Sequence, residues 1–430
     1  MEPVLQVALD FLDLSRALKA AHEAADGGAQ WLEAGTPLIK SEGLNVVRRL
    51  RAEFPRHTIV ADLKTMDAGR TEIEMAAKAG ANVALVLGVA DDSTLKECFG
   101  AGRSYGIKVG VDLIRTADPL KRAQEVAEWG AGLVVVHCGI DEQMRGGTPF
   151  ELLRQVAGHI DVPVAAAGGL NSETVVDAVE AGASILIVGG AITKSADAAE
   201  ATRCIVQAMR TRTRAASDLY KRSSADKLGE ILAKVSTANI SDAAHRMPCM
   251  EGIRPIAPGL KMFGRAVTVR TYPGDWSKPV QAIDMAEPGD VLVIDAAGRG
   301  PAIWGELATH SAIQRKLAGV VIDGAIRDTT EILALRFPGF ARLVLANAGE
   351  PKGFGEINVP IVAGGVRVEP GDWVVGDDDG VMVLPRARAV EIANYAMDCL
   401  ERENRIRKEI ESGQTTLGKV AELLRWEKKT

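Results

Sequence analysis

Thr58–Gly69 reads T-I-V-A-D-L-K-T-M-D-A-G, and it places Asp62, Lys64 and Asp67 at the end of an apolar run. The β-branched start favours a strand. Alternation along a strand would set Asp62 and Lys64 on one face. Two carboxylates and an ammonium at the end of a buried strand are costly unless they pair or bind something. Such a cluster serves either as a structural ion pair or as catalytic machinery. In the second case the carboxylates hold a divalent ion and Lys64 steadies a developing enolate oxygen.

The same pattern recurs along the first half. Strand-like runs lie at Leu5–Asp10, Trp31–Gly35, Thr58–Lys64, Asn82–Gly88, Lys108–Leu113, Leu133–Cys138, Val162–Gly168 and Ile185–Gly189, each followed by a helical pattern. Eight strand–helix units predict a (β/α)8 barrel, with a doubly wound open sheet as the alternative. In a barrel, chemistry sits where strands end, and those ends carry Asp10, Glu33, Asp62, Lys64, Asp67, Asp112 and His137. Glu33 and Asp62 offer the hard oxygens that Mg²⁺ prefers; Mn²⁺ would accept them as well. His137 follows Leu133–Val136 and also fits a satisfied core histidine. The last two strands end in Gly168-Gly169 and Gly189-Gly190, pairs that let backbone N–H groups approach a phosphate. A phosphorylated substrate is expected.

These stretches carry a resemblance. V-A-L-D at Val7–Asp10, E-A-G-T-P-L-I-K at Glu33–Lys40, A-D-L-K-T-M-D-A-G at Ala61–Gly69, L-G-V-A-D-D at Leu87–Asp92, H-C-G-I-D-E-Q at His137–Gln143 and A-G-G-L-N at Ala167–Asn171 are similar to 3-hexulose-6-phosphate synthases of the orotidine monophosphate decarboxylase suprafamily. The resemblance implies a reversible Mg²⁺-dependent aldol reaction between formaldehyde and ribulose 5-phosphate. It implies that Glu33 and Asp62 sit at the metal, that Lys64 and His137 handle the enediolate and proton transfer, and that Asp67 crosses to a neighbouring subunit in a homodimer. Asp10 joins the substrate-binding residues. The related 3-keto-gulonate-6-phosphate decarboxylases carry an arginine shortly after the histidine, where this chain has Cys138-Gly139-Ile140. The synthase is therefore preferred and the decarboxylase kept as the alternative.

The chain has 430 residues, long enough for two domains. A barrel over residues 1–210 leaves a polar connector at 211–226, with Arg212, Arg214, Lys221 and Arg222, and a mixed α/β domain at 227–430. Expected strands there are Arg265–Arg270, Val291–Asp295, Gly319–Asp323, Leu343–Leu345, Trp373–Gly376 and Val381–Leu384, with an amphipathic segment at Arg386–Arg407. The chemical candidate is V-V-I-D-G-A-I-R-D-T-T-E at Val320–Glu331, where a turn is expected after Asp323-Gly324. Arg327 suits a carboxylate, Asp328 a divalent metal, and Glu331 the same face one helical turn on. The loop Trp304-Gly305-Glu306-Leu307-Ala308 could offer backbone N–H groups to the same anion. A surface Arg–Asp pair capping a helix is the plainer alternative.

W-G-E-L-A and V-I-D-G-A-I-R-D-T-T-E resemble the family of 4-hydroxy-4-methyl-2-oxoglutarate aldolases and the regulator of ribonuclease activity A, with its swivelling-type α/β domain. For the aldolase members this implies a divalent metal, Mg²⁺ or Mn²⁺, and an arginine holding pyruvate enolate from a 2-oxo acid. For the others it implies a non-catalytic ribonuclease-binding regulator. Glu331 favours the catalytic form. Trimers or hexamers are implied for this domain, alongside barrel dimers.

A net charge of -6 excludes a polyanion-binding surface over the whole protein, so nucleic acid is not an expected partner. No apolar run reaches the ~20 residues of a membrane span, and the start lacks the pattern of a signal peptide. Five cysteines without metal-ligand spacing read as reduced thiols, and a cytoplasmic enzyme without an organic cofactor is expected.

Overall fold

The computed structural model describes residues 2–217, 222 and 227–420. Lys221 and most of the end of the expected connector lie outside the described residues. The chain divides into two compact units. One runs to Arg222 and takes in the residues from Glu401 on; the other lies between them and ends at Leu400. The first unit is thus discontinuous in sequence, with the second inserted in it.

The first unit is a closed parallel barrel of β1 (Val4–Leu9), β2 (Trp31–Ala34), β3 (Thr58–Thr65), β4 (Val83–Leu87), β5 (Lys108–Asp112), β6 (Leu133–His137), β7 (Val164–Ala167) and β8 (Ile185–Val188). β8 closes on β1, with Val4 beside Ile185 and Val7 beside Val188. The two-residue alternation sorts the core. Ala8, Val60, Leu85, Leu133, Val135, Ile185 and Ile187 fill the barrel interior. Leu9, Leu32, Ala61, Val134, Val136 and Leu186 face the surrounding helices. Counting on from the inward residues turns Asp10, Glu33, Asp62, Asp112 and His137 towards the axis at the strands' C-terminal end. Asp13, Asp118 and Asp197 each cap a following helix by accepting from a first-turn amide, a contact worth about 1 kcal/mol.

After the barrel, the described part of the connector lies against the loop that follows β7. Ala215 N donates to Ser172 O at 3.2 Å, Ser172 Oγ to Ala215 O at 2.8 Å, and Ser217 N to Glu173 Oε1 at 2.9 Å. The helix Ala389–Glu411 begins in the second unit and ends in the first.

The second unit contains β9 (Arg254–Pro255), β10 (Met262–Arg270), β11 (Val291–Asp295), β12 (Gly319–Ile326), β13 (Gly339–Val344), β14 (Glu356–Ile357), β15 (Ile361–Ala363), β16 (Val366–Val368), β17 (Trp373–Asp377) and β18 (Gly380–Leu384). The main sheet runs β18-β17-β10-β11-β12-β13-β9, with β14 on β10 and β15–β16 as a separate ribbon. β10 to β13 are parallel. The turn expected after Asp323-Gly324 does not form. β12 continues to Ile326 through a bulge between Ile322 and Ala325, because Asp323 is buried and doubly held. It pairs with Arg342 Nε at 2.5 Å and accepts from Gly364 N at 2.7 Å.

Candidate active sites

The barrel mouth gathers its charged side chains around Asp112. Lys64 Nζ lies 2.9 Å from Asp62 Oδ2 and 3.1 Å from Asp112 Oδ2. His137 Nδ1 is 2.8 Å from that same Asp112 oxygen, while Asp112 Oδ1 accepts from Ile114 N at 2.9 Å. Thr36 Oγ1 lies 2.9 Å from Asp62 Oδ2 and donates to Asp62 O at 2.8 Å. Gln6 Nε2 donates to Glu33 Oε2. Asp10 leans over Gly35, where a Cβ would stand 2.1 Å from Asp10 Oδ1. Glycine is the residue that admits this approach.

Simple strand alternation does not bring Lys64 beside Asp62. β3 bulges between Asp62 and Thr65, and Lys64 takes a left-handed backbone with φ 47°. A non-glycine residue there costs on the order of 1–2 kcal/mol. Two carboxylates on one ammonium offset that strain.

Electrostatics follow from this packing. Burial alone would lower the Lys64 ammonium, but Asp62 and then Asp112 more than offset it and hold the group above its ordinary value. Burial works against ionised Asp112 as well, yet the His137 hydrogen bond and charge, then Lys64, keep its carboxyl below the usual range. Glu33 goes the other way: burial, then Asp62 and Asp10, push it well up. Asp10 keeps solvent contact at the mouth, yet the dense protein around it, then Asp62, raise its carboxyl too.

Asp62 Oδ1 is buried without a hydrogen-bond partner, and Glu33 is buried near it. An orphaned carboxylate oxygen beside a second carboxylate fits a divalent cation. Among the described residues no group of three or more His, Cys, Asp or Glu is arranged to hold an ion. Water and substrate oxygens would complete the shell, as is usual for Mg²⁺.

Gly168 and Gly169 adopt φ 106° and 71° after β7, and a Cβ on Gly168 would meet Cys138 O at 2.3 Å. Gly189 and Gly190 follow β8, and the single helical turn Gly190–Thr193 starts there. Lys194, just beyond it, lies close enough to offset a small part of the rise in the Asp10 carboxyl. Asp67 stands apart from this group: it is exposed, and its Oδ1 accepts from Ala68 N at 2.7 Å.

In the second unit, Arg327 Nε lies 3.5 Å from Asp328 Oδ2. That oxygen accepts from Glu306 N at 3.0 Å, so one amide of the expected anion-binding loop is already engaged by Asp328. A Cβ on Gly305 would stand 2.4 Å from Asp328 Oδ2. Arg327 N donates to Trp304 O at 3.0 Å, and Trp304 Nε1 to Thr309 Oγ1 at 2.9 Å. These bonds bring the Trp304–Ala308 stretch against the Arg327-Asp328 pair. Leu307 is exposed. Glu331 lies on the first turn of the helix Thr329–Ala334, exposed.

The orotidine 5'-phosphate decarboxylase / HUMPS family model matches residues 3–205. A 3-hexulose-6-phosphate synthase of Methylomonas aminofaciens is 44% identical over 197 residues, 46% of this chain and 94% of that protein. The chain belongs to the orotidine 5'-phosphate decarboxylase / HUMPS family. A 3-hexulose-6-phosphate synthase of Mycobacterium gastri is 41% identical over 199 residues, covering 46% of this chain and 96% of that protein. Residues 237–383 match the RraA-like family model, described as Aldolase/RraA. The solved RNA-processing inhibitor RraA from Thermus thermophilis is 27% identical, covering 35% of this chain and 93% of that one, with a TM-score of 0.34. The chain is a fusion of a synthase-like HUMPS barrel and an RraA-like domain.

Within the HUMPS barrel, the structure brings Asp10, Glu33, Asp62, Lys64 and His137 together, and it adds residues that sequence reasoning gave no role. Asp112 was legible as a strand-end carboxylate, but not as the group joining Lys64 to His137. Thr36 and Gln6 hold the carboxylates, and nothing in their type singles them out. Lys194 follows the Gly-Gly pair at a spacing that only the short helical turn makes meaningful.

Proposed function

We propose that the barrel joins formaldehyde to ribulose 5-phosphate, reversibly, giving 3-hexulose 6-phosphate, with Mg²⁺ or Mn²⁺ held at Glu33 and Asp62. The observation that carries this is the single Asp112 oxygen facing both Lys64 and His137. When bound, the cation supplies Lewis-acid polarisation of the sugar's oxygens.

The chain's own residues supply the rest. Asp112, held below its ordinary range, is ionised and only accepts. In the neutral imidazole, His137 Nδ1 therefore carries the proton and Nε2 the lone pair. Nε2 takes the C1 proton of the ketose phosphate. Lys64, kept charged by two carboxylates, steadies the enediolate oxygen. C1 then bonds to the formaldehyde carbon, and the new alkoxide takes the proton back from Nε2. Backbone N–H groups at Gly168-Gly169 and Gly189-Gly190 receive the phosphate, and Asp10 binds a sugar hydroxyl. Asp67 serves a neighbouring subunit in a homodimer. Formaldehyde loss with ribulose 5-phosphate, with and without Mg²⁺, tests this; decarboxylation of 3-keto-gulonate 6-phosphate in its place would instead favour the decarboxylase.

For the second unit, we infer a metal-dependent aldolase or decarboxylase acting on a 2-oxo acid through pyruvate enolate. Arg327 spans the carboxylate, Asp328 holds the cation, and Glu331 stands behind it. A ribonuclease-binding regulator is the second reading, favoured by one oxygen of the Asp328 carboxylate, Oδ2, being already engaged by Glu306 N–H and Arg327. Oxaloacetate decarboxylation that disappears in Asp328→Ala supports the first, and capture of a ribonuclease without any turnover supports the second. Assembly combines barrel dimers with trimers or hexamers of the second unit, in the cytoplasm.

A further inference from the structure

The last turns of the helix Ala389–Glu411 belong to the first unit and pack on one side of the barrel. Arg405 is buried. Its Nη1 donates to Ser195 O at 3.2 Å, its Nη2 to Glu23 Oε2 at 2.9 Å, and its Nε to Glu409 Oε1 at 3.1 Å. Lys408 Nζ donates to Ala196 O at 2.9 Å. Arg16 Nη2 reaches Glu409 Oε2 at 3.3 Å from the barrel's first helix.

Ser195 and Ala196 are the point where the β8 turn hands over to the next helix. Lys194 N and Ser195 N close the turn Gly190–Thr193 by bonding to Gly190 O and Ile192 O. Two cations from the helix Ala389–Glu411 thus grip carbonyls at the exit of the turn whose entrance is Gly189-Gly190. Lys194, the cation near Asp10, immediately precedes the gripped carbonyls. Charge-assisted bonds from a buried guanidinium to a backbone carbonyl fix position as well as supply energy.

We propose that the end of the helix Ala389–Glu411 is a working part of the barrel, with Arg405 and Lys408 as positioning residues that hold the β8 turn in the shape that receives the substrate phosphate. This rests on the glycine loops being the phosphate site. It predicts that the barrel needs residues far beyond its own first 222 for full affinity.

The test uses the full chain, with ribulose 5-phosphate as substrate and inorganic phosphate as a competitive probe. Arg405→Met is expected to raise KM and the phosphate inhibition constant in parallel, by about three- to tenfold, with kcat changing less. Arg405→Lys should recover part of the loss. Lys408→Met, at an exposed position, should shift both constants in the same direction and carries the test if Arg405→Met does not fold. Gly169→Ala separates the two ideas. If it raises both constants while Arg405→Met and Lys408→Met leave them unchanged, the latch is overturned and the phosphate site stands. If Gly169→Ala changes neither, the phosphate site fails, and the latch with it. A lower melting temperature and kcat in Arg405→Met at unchanged KM would also overturn the proposal, leaving Arg405 a purely structural residue.

Discussion

His137 Nδ1 and Lys64 Nζ meet at one oxygen, Asp112 Oδ2, at 2.8 Å and 3.1 Å. A single carboxylate therefore sets the tautomer of the neutral imidazole and, together with Asp62, keeps the ammonium charged. Asp112→Asn keeps the size of the side chain but removes the charge, and its amide can offer N–H to Nδ1. The imidazole would then carry its proton on Nε2, the wrong nitrogen for a base. The expected loss in kcat is about a hundred- to ten-thousand-fold with the fold retained. Rates and far-ultraviolet circular dichroism on the same preparation check it, and a loss below tenfold would remove Asp112 from its linking role.

Stability should depend on pH and divalent cation in a defined direction. Glu33 and Asp10 have raised carboxyls, so folding favours their protonated forms. Without a cation, their contribution falls as pH climbs from the ordinary 4.5 and 3.8 through the raised values. Asp112 runs the opposite way: its contribution is present above the ordinary 3.8 and is lost as pH falls through the lowered value. A cation binding the ionised carboxylates should raise the melting temperature more at pH 8 than at pH 5. At a hundred times its Kd the gain is about 2.7 kcal/mol. Glu33→Gln should stabilise the cation-free protein and erase the response. An undiminished Mg²⁺ response in Glu33→Gln would place the ion elsewhere.

The barrel's ladder was legible because inward and outward residues alternate so regularly. Leu133 and Val135 point in, Val134 and Val136 point out, and His137 follows in register. All eight expected strands form, with ends moved by one or two residues. The Lys64 position was expected for the wrong reason, since a bulge and a left-handed residue are invisible to two-residue counting. In the second unit, Asp323-Gly324 looked like a turn by residue type. Burial against Arg342 and Gly364 overrides that local preference. The hold of Arg405 on the barrel was beyond sequence reach because its partners Glu23 and Ser195 lie hundreds of residues away.

Gly305 is the sharpest probe of the second unit. A methyl group there would stand 2.4 Å from Asp328 Oδ2 and must push the carboxylate off the Glu306 amide. Gly305→Ala should therefore reproduce Asp328→Ala. Under the aldolase reading, both should lower oxaloacetate decarboxylation by about a hundredfold or more. Barrel activity in the same preparations should be unchanged. Near-normal turnover in Gly305→Ala would mean that Asp328 does not act from its observed position.

The role proposed for Lys64, held charged by Asp62 and Asp112, is to steady the oxyanion of the carbon nucleophile. It is tested most directly by Mg²⁺-dependent consumption of formaldehyde with ribulose 5-phosphate, comparing the native chain with Lys64→Ala. The expected result is robust turnover in the native chain and a fall of about two to four powers of ten in kcat for the variant. Turnover in Lys64→Ala within a few-fold of the native chain would contradict it.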